Sequence, residues 1–323
     1  MKKALITGIT GQDGAYLAKL LLSKGYEVYG LVRRIVNRSF SNLTYLGVEK
    51  NIEYVDGDLT DEASLTHVVR TIKPDEVYHL AAQSFVGTSW DQPIVTSEIN
   101  AMGTLKLLNA VKNHCPAAKF YHAATSEMFG NSNIDGLQTE DTPFHPRSPY
   151  AISKLFAYWM TVNFKESFSM FCVNGILFNH ESPIRGLEFV SRKISDGVAR
   201  IKLGLAKEIK LGNLDSKRDW GFAGDYVEAM WLMMQEPEAD NYIISTGQTH
   251  SIRDFLDIAF ERVGINNWSS YVQIDPRFKR PAELFTLQGK SDKAQAKLNW
   301  KPQVNFTQLV QMMVDADLER LKK

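Results

Sequence analysis

The chain begins with a short apolar run, Ala4-Leu5-Ile6, followed by a stretch from Tyr16 to Leu22 whose apolar residues recur at helical spacing. The alternation continues through apolar runs at Val28 to Val32, Ile52 to Val55, Val77 to Leu80 and Phe120 to Ala123. Between them Ser64 to Ile72 and Met102 to Val111 read as crossover helices, the first with Asp61 placed as N-cap before Glu62. Short strands alternating with helices predict an α/β fold, a doubly wound parallel sheet covered on both faces. After Tyr150 a long helix to about Phe168 and a strand from Phe171 to Ile176 precede loop-rich sequence with many charged and aromatic residues. Residues 1–178 are expected to form the main domain and 179–323 a smaller one. Asp225 to Gln235 and Tyr242 to Thr246 look like a helix and strand that could return to the main sheet.

Composition narrows the classes. A length of 323 residues suits about two domains. The 37 basic side chains cancel the 37 acidic ones and neither sign forms a long block, which speaks against a nucleic-acid or anionic-membrane partner held by bulk field. Any anionic ligand must be held by local charges. Cys115 and Cys172 stand in separate patterns without Cys-x-x-Cys spacing, which argues against a disulfide framework or a metal site and suits a reducing compartment. The first apolar run turns to glycine too early for a signal-peptide core, and no apolar stretch reaches membrane-spanning length. The expectation is a soluble cytoplasmic protein.

The run Thr7-Gly8-Ile9-Thr10-Gly11-Gln12-Asp13-Gly14 follows the first strand and opens the first helix. Its glycines recur every third residue, unlike G-x-G-x-x-G, but the physics is shared: a tight turn, close backbone approach, and a helix N-terminus facing a pyrophosphate. A Rossmann-type dinucleotide site follows. At the end of the second strand, a carboxylate would hold a ribose 2′-hydroxyl, but this chain has Val32-Arg33-Arg34, and guanidinium groups complement a 2′-phosphate. NADP is therefore favoured over NAD. Asp58 and Leu59 after the third strand, and Leu80-Ala81-Ala82-Gln83-Ser84 after the fourth, stand at carboxyl ends of strands, where open α/β sheets bind ligands, although Asp58 or Ser84 could instead cap a helix.

Tyr150 and Lys154 lie four residues apart at the start of a helix and share a face. An ammonium beside a phenol favours the phenolate, so Tyr150 is expected to have a lowered pKa and to act as base toward a substrate hydroxyl during hydride transfer. Thr125-Ser126-Glu127 ends another strand just before them.

With these residues together, the chain resembles the extended short-chain dehydrogenase/reductase family, with Tyr150, Lys154 and a hydroxyl from Thr125 or Ser126 matching its catalytic set. Within that family it is similar to the GDP-mannose 4,6-dehydratases. The similarity is carried by Thr125 to Gly130, Arg147 to Tyr150, Gly175 to Pro183, Arg218 to Gly221 and Arg280-Pro281-Ala282-Glu283, and it extends nearly end to end. The resemblance implies a GDP-sugar substrate oxidised at C4 by NADP, loss of water across C5 and C6, and return of the same hydride to C6. Tyr150 would take the C4 hydroxyl proton, Thr125 would bond the developing C4 oxygen, and Lys154 would lower the tyrosine pKa and hold the nicotinamide ribose. Glu127 would remove the C5 proton and protonate the departing hydroxyl, which separates a dehydratase from a simple reductase.

The same resemblance places His180 and Arg185 in the cofactor pocket, Lys193, Arg218 and Arg280 around the nucleoside diphosphate, and Asn179, Glu283, Ser84 and Glu127 against sugar or base. It also implies a homodimer through the helices starting near Leu105 and Ala151, where Leu155, Phe156, Tyr158 and Trp159 exceed one face. The loop Ile35 to Asn42 departs from relatives that carry a serine-rich stretch there, with Arg38 as a substitute, which leaves a homotetramer through this loop open. Three alternatives stand beside the first reading: a GDP-manno-heptose dehydratase differing near Ser84, Phe85 and Val86, a GDP-4-keto-6-deoxysugar reductase, and a non-catalytic NADP sensor.

Overall fold

Alternate residues of the apolar runs enter two different cores, which is why the runs show no polar face. In the computed structural model, residues 1–34, 39–132, 136–278 and 286–322 are described. The first half comprises β1 (Lys3–Thr7), α1 (Gln12–Ser23), β2 (Glu27–Val32), α2 (Ser41–Tyr45), β3 (Glu53–Asp56), α3 (Glu62–Ile72), β4 (Glu76–His79), α4 (Val86–Asp91), α5 (Pro93–Ser97), α6 (Gly103–His114), β5 (Lys119–Thr125), α7 (Pro149–Phe168) and β6 (Cys172–Leu177). The second half adds β7 (Asn179–Glu181), α8 (Val190–Lys202), β8 (Ile209–Leu211), β9 (Lys217–Phe222), α9 (Ala223–Gln235), β10 (Tyr242–Ile244), β11 (Thr249–Ser251), α10 (Ile252–Arg262), β12 (Val272–Ile274), β13 (Thr286–Leu287), α11 (Asp292–Leu298) and α12 (Phe306–Leu321).

The main sheet has the order β10-β6-β5-β4-β1-β2-β3, and all of its pairings are parallel. Leu5, Tyr29, Leu31, Val77 and Phe120 cluster with Leu65, Val68, Leu107 and Phe164 of α3, α6 and α7. Ala4, Ile6, Val28, Tyr78 and Val173 cluster with Leu17 and Leu21 of α1 and Met230 and Met233 of α9. The strand order reverses between β1 and β4, so a crevice opens beyond their carboxyl ends. β10 pairs in parallel with β6, and α9 lies against α1.

A second body holds β11, β9 and β13, with β7 also paired to β9, and a two-stranded pair β8-β12. Its core joins Ile194 and Val198 of α8, Phe255 and Phe260 of α10, and Leu309 and Met313 of α12. Asp61 caps α3 as expected, its carboxylate accepting from Ala63 N at 3.1 Å. One local feature escaped the helical pattern: a single π-turn, Glu98–Met102, precedes α6. There the Asn100 side chain accepts from Gln83 N at 2.8 Å and donates to Gln83 O at 3.1 Å and Ser153 Oγ at 3.1 Å. It thereby ties the loop after β4 to α7. Among the described residues no helix is long and apolar enough to cross a membrane.

Candidate active site

The glycine turn fills the crevice at β1. Gly8 has φ +76°, and a Cβ there would lie 2.8 Å from Ala81 N, so the loops after β1 and β4 meet backbone to backbone. Gly11 is the N-cap of α1, and a Cβ on Gly14 would lie 2.3 Å from Gly8 O. These contacts set the N-terminus of α1 at the crevice, where helix-end amides suit an anionic group. Gly14→Ala is expected to weaken dinucleotide binding at least about tenfold. Calorimetric titration of the folded variant checks this, and parental affinity would show that the turn tolerates the methyl group.

Thr10 is exposed, and its carbonyl is held by Asn42 Nδ2 at 3.0 Å. Arg33 and Arg34 are exposed just past β2. Asp58 sits past β3; burial works to raise its carboxyl, but the Thr60 amide and hydroxyl, with Arg33 and Lys106, hold it below the usual carboxylate range. Leu59 is buried, Ala81, Ala82 and Gln83 are half-buried, and Ser84 is exposed.

Ser148 caps α7, accepting from Ala151 N at 3.1 Å, and Pro149 occupies the first turn. That start places Tyr150 beside the end of β5 and Lys154 one turn further. Thr125 and Glu127 both act on the Tyr150 phenol, the Thr125 hydroxyl drawing its pKa down and the Glu127 charge pushing it up. Thr125 Oγ also accepts from Glu127 N at 3.3 Å, opening the short 3-10 turn Ser126–Phe129. Thr125 and Ser126 are both buried, and of the two it is Thr125 that acts on the Tyr150 phenol. The expected lowering of the Tyr150 pKa is corrected here. Burial pushes the phenol up to about 12, with Thr125 and Arg185 pulling against it. Lys154, brought down to about 8 by burial, donates to Ala123 O at 2.8 Å rather than to the phenol. Sequence spacing showed the shared helix face but not the low dielectric around it.

On the far side of the crevice, Asn179 opens β7 and pairs in register with Trp220 of β9, two residues from Arg218. Arg218 is buried, with Nη1 donating to Lys217 O at 2.7 Å, and Lys193 is half-buried on α8, its pKa lowered by burial. Phe85 and Phe189 meet edge to face at 5.9 Å, linking the loop after β4 to the segment entering α8. Arg185 pairs with Glu181 at 3.1 Å and lies 3.6 Å over the Phe189 ring. Arg38, Arg280 and Glu283 lie outside the described residues.

Three polar features were not read from the sequence. His180 contacts Asp13 at 2.8 Å. Arg192, Arg320 and Ser195 converge on buried Asp317. Buried Asp219 accepts from Thr246 N and Oγ, Gly247 N and Gly289 N, and burial pushes its carboxyl up to about 6 against those donors. A buried polar residue without periodicity gives no pattern signal; the string Arg218-Asp219-Trp220 was noticed, but only for its arginine.

A glycine turn at the switch point, with Thr125, Tyr150 and Lys154 grouped at the end of β5, defines an extended short-chain dehydrogenase/reductase. The crystal structure of the UDP-glucose 4-epimerase of Thermus thermophilus, complexed with NAD, shares this fold, with TM-score 0.85 and 27% identity over 98% of each chain. The family described as GDP-mannose 4,6 dehydratase matches residues 5–313, and the chain belongs to it. It is 51% identical to GDP-mannose 4,6 dehydratase 2 of Arabidopsis thaliana, covering 100% of this chain and 88% of that protein. With GDP-mannose 4,6 dehydratase of Homo sapiens the identity is 48%, covering 99% and 92%.

Proposed function

We propose that the chain is an NADP-dependent GDP-mannose 4,6-dehydratase that forms GDP-4-keto-6-deoxymannose. The observation that carries this reading is the grouping at the end of β5, where Thr125 and Glu127 both act on the buried Tyr150 phenol. One base for a C4 hydroxyl and one for a C5 proton are thus neighbours. Family membership supports the substrate, and Arg33 and Arg34 past β2 support the 2′-phosphate of NADP.

The cofactor would be held by Gly8, Gly11 and Gly14, by Arg33 and Asp58, by the loop from Ala81 to Gln83, and by Lys154, His180 and Arg185. When bound, it accepts hydride from C4 and returns it to C6. Tyr150 removes the C4 hydroxyl proton, and Thr125, beside the phenol, steadies the oxygen that becomes the ketone. The ketone acidifies C5, and Glu127 takes the C5 proton and delivers a proton to the leaving C6 hydroxyl. Thr125 and Arg185 draw the phenol down against burial. Lys193 and Arg218, with Arg280, are assigned to the diphosphate, and Asn179 and Glu283 to sugar or base. Residues 1–178 with α9 and β10 form the cofactor body, and most of 179–323 forms the substrate body.

The test is incubation with GDP-mannose and substoichiometric NADP, followed by mass. Loss of water without net NADPH supports the reading. Turnover confined to a GDP-manno-heptose, or NADPH consumption without water loss, would overturn it.

A homodimer is part of the same proposal. Ile152, Phe156 and Trp159 of α7 are 57%, 40% and 55% exposed and recur at i, i+4 and i+7, a continuous apolar stripe. Trp159→Glu is expected to yield monomers in light scattering after size exclusion. A parental mass for that variant would place the interface elsewhere.

A further inference from the structure

Both ring nitrogens of His180 face oxygens that accept hydrogen bonds. Nδ1 lies 2.8 Å from the Phe178 carbonyl oxygen, and Nε2 lies 2.8 Å from Asp13 Oδ2. A neutral imidazole has a single N–H and would set one lone pair against an oxygen. Filling both contacts requires the doubly protonated, positively charged ring. Asp13 carries the matching charge. Its Oδ1 accepts from Gln12 Nε2 at 3.0 Å; burial works to raise its carboxyl, yet His180, Gln12 and Arg185 together bring it below the usual range.

The two residues stand on different parts of the fold. Asp13 is in the first turn of α1, within the glycine turn, and His180 is in β7 at the edge of the second body. Gln12 strengthens the seam: its Nε2 donates to His180 O at 3.1 Å and its Oε1 accepts from Ser182 Oγ at 2.7 Å. We propose that the Asp13–His180 ion pair is a positioning latch that fastens the glycine turn to β7, and that the proton on His180 controls dinucleotide affinity. The proposal rests on reading the turn as a nicotinamide-dinucleotide site.

The physical argument is one of local charge. With His180 protonated, the pair is neutral, and a diphosphate meets the N-terminus of α1 without an opposing net charge. When His180 loses its proton, Asp13 remains as an uncompensated anion in that turn, and it repels a diphosphate through a partly buried medium. Other charged or titratable groups act on the pair, among them Tyr121 of β5, which feels the charge of Asp13. Tyr226 of α9 stacks on the His180 ring at 4.6 Å, and Arg185, paired with Glu181, opposes a second positive charge. Tyr150 of α7 feels the charges of both Asp13 and Arg185. Burial opposes protonation as well, but Asp13 and the Phe178 carbonyl outweigh these effects and raise His180 above its ordinary value. The sign follows: affinity is full at pH below the ordinary histidine range and is lost as pH rises through the raised value.

The experiment is titration calorimetry of the cofactor-stripped chain across pH 6 to 9, with NADP and separately with NAD, because a 2′-phosphate itself titrates near about pH 6. For both dinucleotides the parent should lose about tenfold in affinity across the rise, the scale of one nearby charge under salt screening. Asp13→Asn keeps the hydrogen-bonding shape but removes the anchor, so the midpoint should move down by about one pH unit or more. His180→Gln, neutral throughout, should give a flat profile. NMR of ring-labelled histidine in the unaltered protein reads the same point without a variant: both His180 nitrogens should appear protonated at neutral pH. A neutral ring, or an Asp13→Asn profile superimposed on the parent's, would overturn the latch. Failure of the parent to bind either dinucleotide would instead overturn the reading of the turn.

Discussion

Replacing Glu127 by glutamine should lower turnover of GDP-mannose by about a thousandfold while leaving dinucleotide affinity unchanged. Glutamine matches glutamate in shape, so the local structure should persist. That structure is tightly set. Glu127 lies on the 3-10 turn Ser126–Phe129, whose Met128 O accepts from His145 N at 2.9 Å. The turn ends at Gly130, where φ is +59° and a Cβ would lie 1.9 Å from His145 O. What the amide lacks is the ability to take and give a proton. In the proposed mechanism oxidation at C4 depends on Tyr150 and does not need Glu127, so reduced-nicotinamide absorbance should rise toward one equivalent per site and stay there. Steady-state mass analysis and absorbance separate the two half-reactions. Water loss at the parental rate would remove Glu127 from its role and would leave Tyr150 and Lys154 as parts of a plain oxidoreductase site.

The features of this site that were legible in the sequence are those fixed by spacing along the chain. The three-residue glycine period and the four-residue separation of Tyr150 and Lys154 each specify local geometry before any tertiary contact forms. Strand and crossover-helix positions were legible because burial on both sheet faces leaves unbroken apolar runs. What spacing does not encode is the dielectric a side chain ends up in. Tyr150 was expected to be acidified by Lys154; instead the close packing of α7 against β5 and β6 buries both groups and drives their pKa values the opposite way from charge stabilisation. Nor does it encode pairs brought together by topology. Asp13 and His180 are 167 positions apart, and Arg192 and Asp317 are 125 apart, and each looks in isolation like an ordinary polar residue.

The latter pair yields the largest expected change in stability. Asp317→Asn should cost about 3 to 5 kcal/mol, seen as a lowered thermal midpoint. Asp317 is fully buried, accepting from Arg192 Nε at 2.9 Å on both oxygens and from Ser195 Oγ at 2.7 Å, with Arg320 on the same carboxylate. Removing the anion strands the buried Arg192 guanidinium, and the desolvation already incurred by that cation has nothing left to offset it. The cost should also reach the site. Arg192 Nη1 donates to Arg185 O at 2.9 Å and Arg320 Nη2 to Pro183 O at 3.0 Å, so two cations anchored on one carboxylate hold the segment that carries Arg185. A looser segment should raise the KM for substrate more than it lowers kcat, since the group at the end of β5 is untouched. The double change Arg192→Met with Asp317→Leu tests the reason for the loss, because it removes both buried charges and fills the space with apolar atoms. It should recover most of the stability but not the KM, since the Arg192→Met change takes away the donor to the Arg185 carbonyl. If the double variant is no more stable than Asp317→Asn, packing rather than stranded charge sets the cost.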